Sequence, residues 1–267
     1  MSFAGKTVWI TGASSGIGEH VAYQYDKEGA NLILSARSES KLEAVKNNCS
    51  SGQGEKFVLP FDVGLVDEID DITQKALALT GQIDVLINNA GISQRGRVED
   101  GNLAIDRKIF EVNFFGNIQL TRSLLPHMLE RSSGNLVIIS SLAGKMSTPF
   151  RSAYAGSKHA LHGWYDALRA ELADRNIGVH IICPGYIRTN ISVNALKSSG
   201  EQHGVMDPNQ DAGMSPENCA KQIVKAISKN KREVYIGGKE TSFLWIRKIF
   251  PSIYYKMVER MARSTSY

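Results

Sequence analysis

Tyr154 and Lys158 stand four residues apart, and Ser141 lies thirteen residues before the tyrosine. Four residues is just over one helical turn, so on a helix the phenol and the ammonium project from one face. A lysine held beside a tyrosine hydroxyl favours the phenolate. Free tyrosine has a pKa of about 10, and moving it to about 7 takes roughly 4 kcal/mol. One positive charge about 4 Å away, at an effective dielectric near 20, supplies roughly that amount. The pair is expected to make Tyr154 a proton donor and acceptor at neutral pH. Taken alone, such a pair reads as two surface side chains of a helix, so the rest of the chain must decide.

The elements that would position these groups alternate. Thr7–Thr11 reads as a first strand, followed by glycines and a helix through Lys27. Strands are then expected over Asn31–Ala36, Lys56–Phe61, Ile83–Ile87, Leu136–Ser140, Val179–Cys183 and Glu233–Ile236. Helices are expected over Glu39–Asn47, Glu68–Leu79, Leu103–Leu125 and from about Arg151 to Arg175, with a further one capped by Ser215 ahead of Pro216 and Glu217. The strands are continuous apolar runs, the mark of a parallel sheet covered on both faces. Strand–helix alternation implies right-handed βαβ units and an α/β, doubly wound, mostly parallel seven-stranded sheet of Rossmann type. Ligands bind such sheets at the carboxyl ends of the strands, near the topological switch. One catalytic domain over 1–240 is expected, followed by a C-terminal helical extension over 241–267.

Thr11-Gly12-Ala13-Ser14-Ser15-Gly16-Ile17-Gly18 joins the first strand to the first helix. Glycines there allow a tight turn and let backbone N–H groups approach a pyrophosphate at the helix N-terminus. A plain structural turn is the competing reading. The second strand ends Leu34-Ser35-Ala36-Arg37-Ser38. It has no acid to bond an adenosine ribose 2′-OH, and Arg37 and Ser38 can pair with a 2′-phosphate, so NADP(H) is expected over NAD. A solvated loop arginine is the alternative. Asp62-Val63, after the third strand, are placed to meet the adenine edge. Asn88-Asn89-Ala90-Gly91 follow the fourth; they read equally as close approach to a cofactor or as turn chemistry.

With these pieces the chain, over roughly residues 4–240, resembles the short-chain dehydrogenase/reductase family. The matching positions are Thr11–Gly18, Asp62, Asn88–Gly91, Asn113, Ser141, Tyr154, Lys158 and Pro184-Gly185. Ala36-Arg37-Ser38 and the basic, aromatic tail look like its NADP-using hydroxysteroid-dehydrogenase-like branch. One departure is Ser15, where many NADP-using members carry a basic residue, which leaves most of the 2′-phosphate recognition to Arg37. The resemblance implies that Tyr154 exchanges a proton with a carbonyl or alcohol oxygen and that Ser141 hydrogen-bonds that oxygen. Strand alternation points Ser140 and Ser141 to opposite faces, and the family spacing selects Ser141. By the same resemblance Lys158 holds the nicotinamide ribose hydroxyls and Asn113 positions a water leading from Lys158 to solvent. Ile187 and Thr189 would contact the nicotinamide, with Thr189 at its amide. Subunits would pair through the helices around Leu103–Leu125 and Arg151–Arg175 into a homodimer or homotetramer.

Ile187–Met214 is long and polar, the pattern of a lid over a substrate. Leu142, Met146, Phe150, Tyr186, Ile191 and Val193 are mainly apolar candidate walls, which point to a lipophilic ketone or secondary alcohol. His159 and His162 form no HExxH pattern, and no metal is expected. The chain has 267 residues, 42% hydrophobic and 22% charged, enough for a buried core without staples. Cys49, Cys183 and Cys219 are scattered and odd in number, which fits a reducing compartment and a cytoplasmic location. No signal peptide is expected ahead of the fold, and no apolar run has bilayer-spanning length.

Lys239–Tyr267 holds six Lys or Arg against two Asp or Glu and so carries the whole formal charge of +4. The balanced body argues against nucleic-acid binding. Within the tail, Phe243, Leu244, Trp245, Ile246, Ile249, Phe250, Ile253, Tyr254, Met257 and Met261 recur at helical spacing, with Pro251 restarting the helix. This pattern reads either as a helix pair covering the pocket mouth or a partner subunit, or as peripheral attachment to anionic lipid. The chain as a whole is expected to be an NADP(H)-dependent oxidoreductase. The alternatives are a non-catalytic nucleotide-sensing protein or a membrane-surface interaction module.

Overall fold

The structure, a computed structural model, describes residues 2–264. The apolar runs become seven strands: β1 (Thr7–Thr11), β2 (Asn31–Ser35), β3 (Lys56–Val58), β4 (Val85–Asn88), β5 (Gly134–Ile139), β6 (Ile177–Pro184) and β7 (Glu233–Ile236). They form one sheet in the order β3-β2-β1-β4-β5-β6-β7, and every neighbouring pair is parallel. The helices are α1 (Gly16–Lys27), α2 (Glu39–Asn48), α3 (Ile69–Thr80), α4 (Leu103–Phe110), α5 (Gly116–Glu130), α6 (Ser152–Glu171), α7 (Pro208–Asp211), α8 (Pro216–Ser228), α9 (Ser242–Ile249) and α10 (Pro251–Ser264). On one face of the sheet Val8, Ile10, Leu34 and Ile182 pack against Val21, Leu42 and Ile223 of α1, α2 and α8. On the other, Trp9, Leu86, Leu136 and Ile181 pack against Ile72, Leu124 and Leu161 of α3, α5 and α6. Every residue of β1, β4 and β5 is buried, which is why these strands read as unbroken apolar runs. Each fully buried Leu or Ile contributes about 1.5–3 kcal/mol.

Local chemistry sets several element ends. Ser215 caps α8, its Oγ accepting from the Asn218 N–H at 3.3 Å, with Pro216 at the first helical position. Gly81 closes α3 in the left-handed region at φ 71°.

Some elements depart from the sequence expectation. The helix expected over Leu103–Leu125 is interrupted by a wide, π-helical turn at Glu111–Phe115. Asn113 explains it. Its side chain leaves the helix ladder to bond the Ile92 backbone in both directions, at 2.8 and 2.9 Å. Asn117 Nδ2 then donates to the Val112 and Asn113 carbonyls, at 3.2 and 2.7 Å. The third strand ends at Val58 because Pro60 cannot continue a ladder, although Leu59 and Phe61 N–H still reach Leu34 O and Ala36 O. The catalytic-helix candidate, α6, ends at Glu171 and not Arg175.

Ile187–Met214 is folded back on the body. Ser192, Ala195 and Gln210 are buried, Leu196 bridges to Gln94, and Gln210 Nε2 donates to Ile187 O at 2.9 Å. Helices α9 and α10 cover the β5–α6 connection, with Tyr254 buried and its hydroxyl donating to Ser147 O at 2.6 Å. The last residues of the tail expected over 241–267, 265–267, lie outside the described residues. Among the described residues no helix is long and apolar enough to cross a membrane.

Candidate active site

The carboxyl ends of β1 and β4 meet at the switch in strand order, and side chains tie them together. Thr11 Oγ1 accepts from the N–H groups of Asn89 and Ala90 at 3.0 and 3.1 Å, and Asn89 Nδ2 donates to Thr11 O at 2.9 Å and to Gly12 O at 3.2 Å. The glycine-rich turn rests on this brace. Gly12 and Gly16 are left-handed, at φ 64° and 60°. A Cβ on Gly18 would overlap the Gly12 carbonyl oxygen and the Asn89 amide. Gly18→Ala is therefore expected to lower stability by about 1–3 kcal/mol, read as a fall in melting temperature.

Ser15 stands at the N-cap of α1 in extended conformation but makes no side-chain cap bond. Ser38 likewise begins α2 without a side-chain cap. Uncapped first-turn N–H groups beside a glycine-rich backbone suit an anion. Residues Gly12 to Gly18 thus fit a dinucleotide pyrophosphate, with Ser14, Ser15, Gly16 and Ile17 at the helix mouth. Arg37 is exposed at the end of β2, with no ion pair to a described side chain, and Ser38 follows it. Asp62 Oδ1 accepts from Gly64 N–H at 2.9 Å, and Val63 is buried against Gly116.

Ser141, Tyr154 and Lys158 come together beside this cradle. Ser140 and Ser141 lie just beyond β5 and take different partners: Ser140 Oγ reaches Lys158 O at 3.3 Å and His162 Nε2 at 3.1 Å. Ser141 Oγ lies 3.1 Å from the Ala143 N–H it accepts from and 3.5 Å from Pro184 O, and it hydrogen-bonds Tyr154. Tyr154 and Lys158 are both buried on one face of α6. A Cβ on Gly91 would come within 3.5 Å of Lys158 Nζ and 3.1 Å of Asn113 Oδ1, so Gly91, Asn113 and Lys158 converge. Asn113 Nδ2 also donates to Ser157 Oγ at 3.0 Å. Its side chain thereby anchors the β4 loop to α6. Thr189 approaches Gly16, accepts from Gln210 Nε2 at 3.3 Å, and shares the mouth with buried Ile187 and with Pro184-Gly185.

The electrostatics correct one expectation. Burial raises the Tyr154 phenol above its ordinary value, and the Ser141 hydrogen bond and the Arg151 and Arg95 guanidiniums only partly oppose it. The Lys158 Nζ sits 5.9 Å from the Tyr154 ring centroid and donates to Ile139 O at 2.8 Å, so burial outweighs its pull on the phenol. The lysine itself is pushed down to about 8 by burial. The expectation from spacing counted a charge at close range and omitted desolvation of both groups.

Sequence reasoning also missed three partners. Gln94 Oε1 accepts from Ala153 N–H at 2.9 Å and so caps the start of α6. Buried Arg95 and half-buried Arg151 both point at Asp207, at 3.6 and 2.6 Å, linking the β4 loop, the head of α6 and the 187–214 segment. An arginine four residues beyond the Asn88–Gly91 loop carries no spacing signal, because its partner comes from a distant segment. Of the apolar walls named above, Leu142 and Met146 are buried in the core under the tail, whereas Phe150, Tyr186, Ile191 and Val193 are half-buried. His162 packs against Ser140 and Glu233, and His159 Nδ1 lies 2.8 Å from Ala155 O.

Fold and site together define a dinucleotide-dependent oxidoreductase architecture. The sequence profile described as short chain dehydrogenase matches residues 6–199. The chain is 39% identical over 265 residues to dehydrogenase/reductase SDR family member 7B of Danio rerio, covering 97% of this chain and 86% of that one. It is 41% identical over 261 residues to the Mus musculus protein of the same name, covering 96% and 81%. Among solved structures it resembles a short-chain dehydrogenase from Streptomyces avermitilis, with TM-score 0.81 and 30% identity over 99% of this chain and 100% of that one. A metagenomic short-chain oxidoreductase in complex with NADP aligns with TM-score 0.74 and 27% identity over 88% and 98%. A short-chain dehydrogenase/reductase from Burkholderia phymatum in complex with NAD, at TM-score 0.84 and 22% identity over 95% and 96%, shares the fold. The chain belongs to the short-chain dehydrogenase/reductase family, a family of oxidoreductases that use a nicotinamide cofactor.

Proposed function

We propose that this protein is an NADP(H)-dependent carbonyl reductase, interconverting a lipophilic ketone and its secondary alcohol. The observation that carries the reading is the convergence of Ser141, Tyr154 and Lys158 beside the uncapped N-terminus of α1 and the glycine-rich Gly12–Gly18 turn. The nicotinamide, when bound, supplies the hydride in reduction and accepts it in oxidation. The residues of the chain do the rest. Gly12–Gly18 hold the pyrophosphate through backbone N–H groups, Asp62 and Val63 meet the adenine, and Asn89, Ala90, Gly91, Pro184, Gly185, Ile187 and Thr189 line the remainder of the cofactor groove.

Tyr154 Oη donates its proton to the carbonyl oxygen as the carbon is reduced. Ser141 Oγ donates a hydrogen bond to the same oxygen and stabilises charge developing there. Lys158 holds the ribose hydroxyls from Gly91's side and returns a proton to the phenol. Asn113 fixes the Ile92 turn and the head of the lysine's helix, and the wide turn at its own position leads the proton path toward solvent. A phenol raised by burial keeps its proton at neutral pH, which suits donation and therefore the reductive direction. The lid over 187–214 closes the substrate end through Asp207.

Arg37 and Ser38 favour NADP over NAD by pairing with the 2′-phosphate. Arg37→Asp is expected to cut kcat/KM with NADPH about 10- to 100-fold, the size of a charged hydrogen bond, and to shift preference toward NADH. Unchanged NADPH kinetics would refute this assignment. The reaction itself is tested by following NADPH absorbance across a panel of ketones. We further propose a cytoplasmic location and a homodimer or homotetramer, and take peripheral membrane contact as the reading of the basic tail to be tested against that of a helix pair covering the pocket mouth or a partner subunit.

A further inference from the structure

Helices α9 and α10 carry two sets of apolar side chains. One set faces the body: Tyr254 is buried, and Phe243, Leu244, Ile246 and Val258 pack on the core that contains Leu142 and Met146. The other set faces water. Trp245 is 64% exposed, Ile249 59%, Phe250 56% and Ile253 53%. These four lie along the outer edge where α9 turns into α10. In α10, Ile253, Lys256, Met257 and Arg260 follow at the i, i+3, i+4, i+7 spacing of one helical face, and all four are exposed. Lys248 Nζ lies 5.7 Å from the centroid of the Trp245 ring. The outer face therefore interleaves large apolar groups with cations, in the segment that holds the whole excess charge of the chain.

We propose that this face docks α9 and α10 flat on an anionic lipid bilayer, with Trp245, Phe250 and Ile253 entering the acyl boundary and Lys248, Lys256 and Arg260 at the headgroups. Tryptophan and isoleucine beside lysine and arginine match the layered polarity of a membrane interface. A second copy is a poorer occupant. A two-fold contact through this face brings together two patches of the same sign, each carrying Lys248, Lys256 and Arg260. An anionic surface complements the charge instead, and each cation near it contributes about a fivefold gain in partitioning.

This inference deepens the proposed membrane contact and the lipophilic-substrate reading, and it rests on them for its consequence. The Tyr254 hydroxyl fastens the docked helix to Ser147, six residues beyond Ser141 in the connection leading to α6. Docking holds that substrate-side connection at the bilayer, so a ketone dissolved in the lipid reaches the site without crossing water.

Sedimentation of the full chain with phosphatidylserine–phosphatidylcholine vesicles, and with phosphatidylcholine alone, tests the proposal. The protein is expected to pellet with the anionic vesicles only, and less so as salt rises. Reversing two charges in Lys256→Glu with Arg260→Glu is expected to weaken binding by at least about tenfold. Trp245→Ala with Ile253→Ser is expected to do the same without altering charge. No pelleting with anionic vesicles, equal pelleting with neutral ones, or indifference to both double variants would overturn it. So would self-association in light scattering that Trp245→Ala with Ile253→Ser abolishes, because the face would then belong to a second copy. Turnover of a water-soluble ketone without vesicles reports separately on the catalytic reading. Failure of that turnover would refute the chemistry and leave the docking result standing.

Discussion

Tyr154→Phe is expected to lower kcat/KM for ketone reduction by about 10²- to 10⁴-fold, with NADPH affinity nearly unchanged. The phenylalanine keeps the ring that packs at the head of α6 and removes only the hydroxyl that Ser141 bonds. The loss should fall on kcat, because the proton is delivered in the transition state and not in the ground-state complex. Binding measured by quenching of protein fluorescence on NADPH addition separates the two. The pH profile adds a sign. Burial raises the phenol, so the donor form persists through neutral pH, and reduction is expected to decline only at alkaline pH. Oxidation of the alcohol needs the phenolate and should rise over the same range. A Tyr154→Phe enzyme with near wild-type turnover would mean that another group carries the proton.

Lys158→Met is expected to make the protein more stable and nearly inactive. The side chain is 4% exposed, and burial pushes its ammonium from the ordinary 10.5 down to about 8. Holding a proton there below pH 8 costs roughly 3 kcal/mol relative to the unfolded chain. Between about pH 8 and 10.5 the unfolded chain binds more of this proton than the folded one, so this residue adds stability as pH rises through that window and penalises the fold below it. Methionine has similar length and no charge. Allowing for the lost bond to Ile139 O, the variant should gain about 1–3 kcal/mol at pH 7 in urea unfolding. The gain should shrink toward pH 10.5. Other groups titrate there too, Cys49 and Cys219 among them, but they are common to both chains and cancel in the difference. Equal stability at pH 7, or a gain that grows with pH, would show that the lysine is not held under strain. The activity loss should be at least about 10²-fold, since no ammonium remains to face the ribose or the phenol.

The sequence made the fold legible because the central strands β1, β4 and β5 are apolar runs buried on both faces, and the connections between strands have the length of crossover helices. The glycine turn, the Asn88–Gly91 loop and the Ser–Tyr–Lys spacing were equally readable, since local geometry alone brings each set to the same end of the sheet. Three things were not. The wide turn at Glu111–Phe115 looks like ordinary helix in sequence, because it is produced by Asn113 reaching across to Ile92. The Arg95–Asp207–Arg151 link joins segments more than fifty residues apart. Finally, the net direction of the Tyr154 shift depends on desolvation, which spacing does not reveal.

The wide turn has a further consequence. A helix that stores a surplus residue in one loose loop of backbone has a local slack point, where chain length can change without re-aiming the turns beyond it. Glu111 and Phe115 lie on its outer side and Asn113 on its inner side. Loss of one residue on the outer side is therefore expected to return the turn to ordinary α-helix, while Leu120, Leu124 and Met128 keep their seats beneath the sheet.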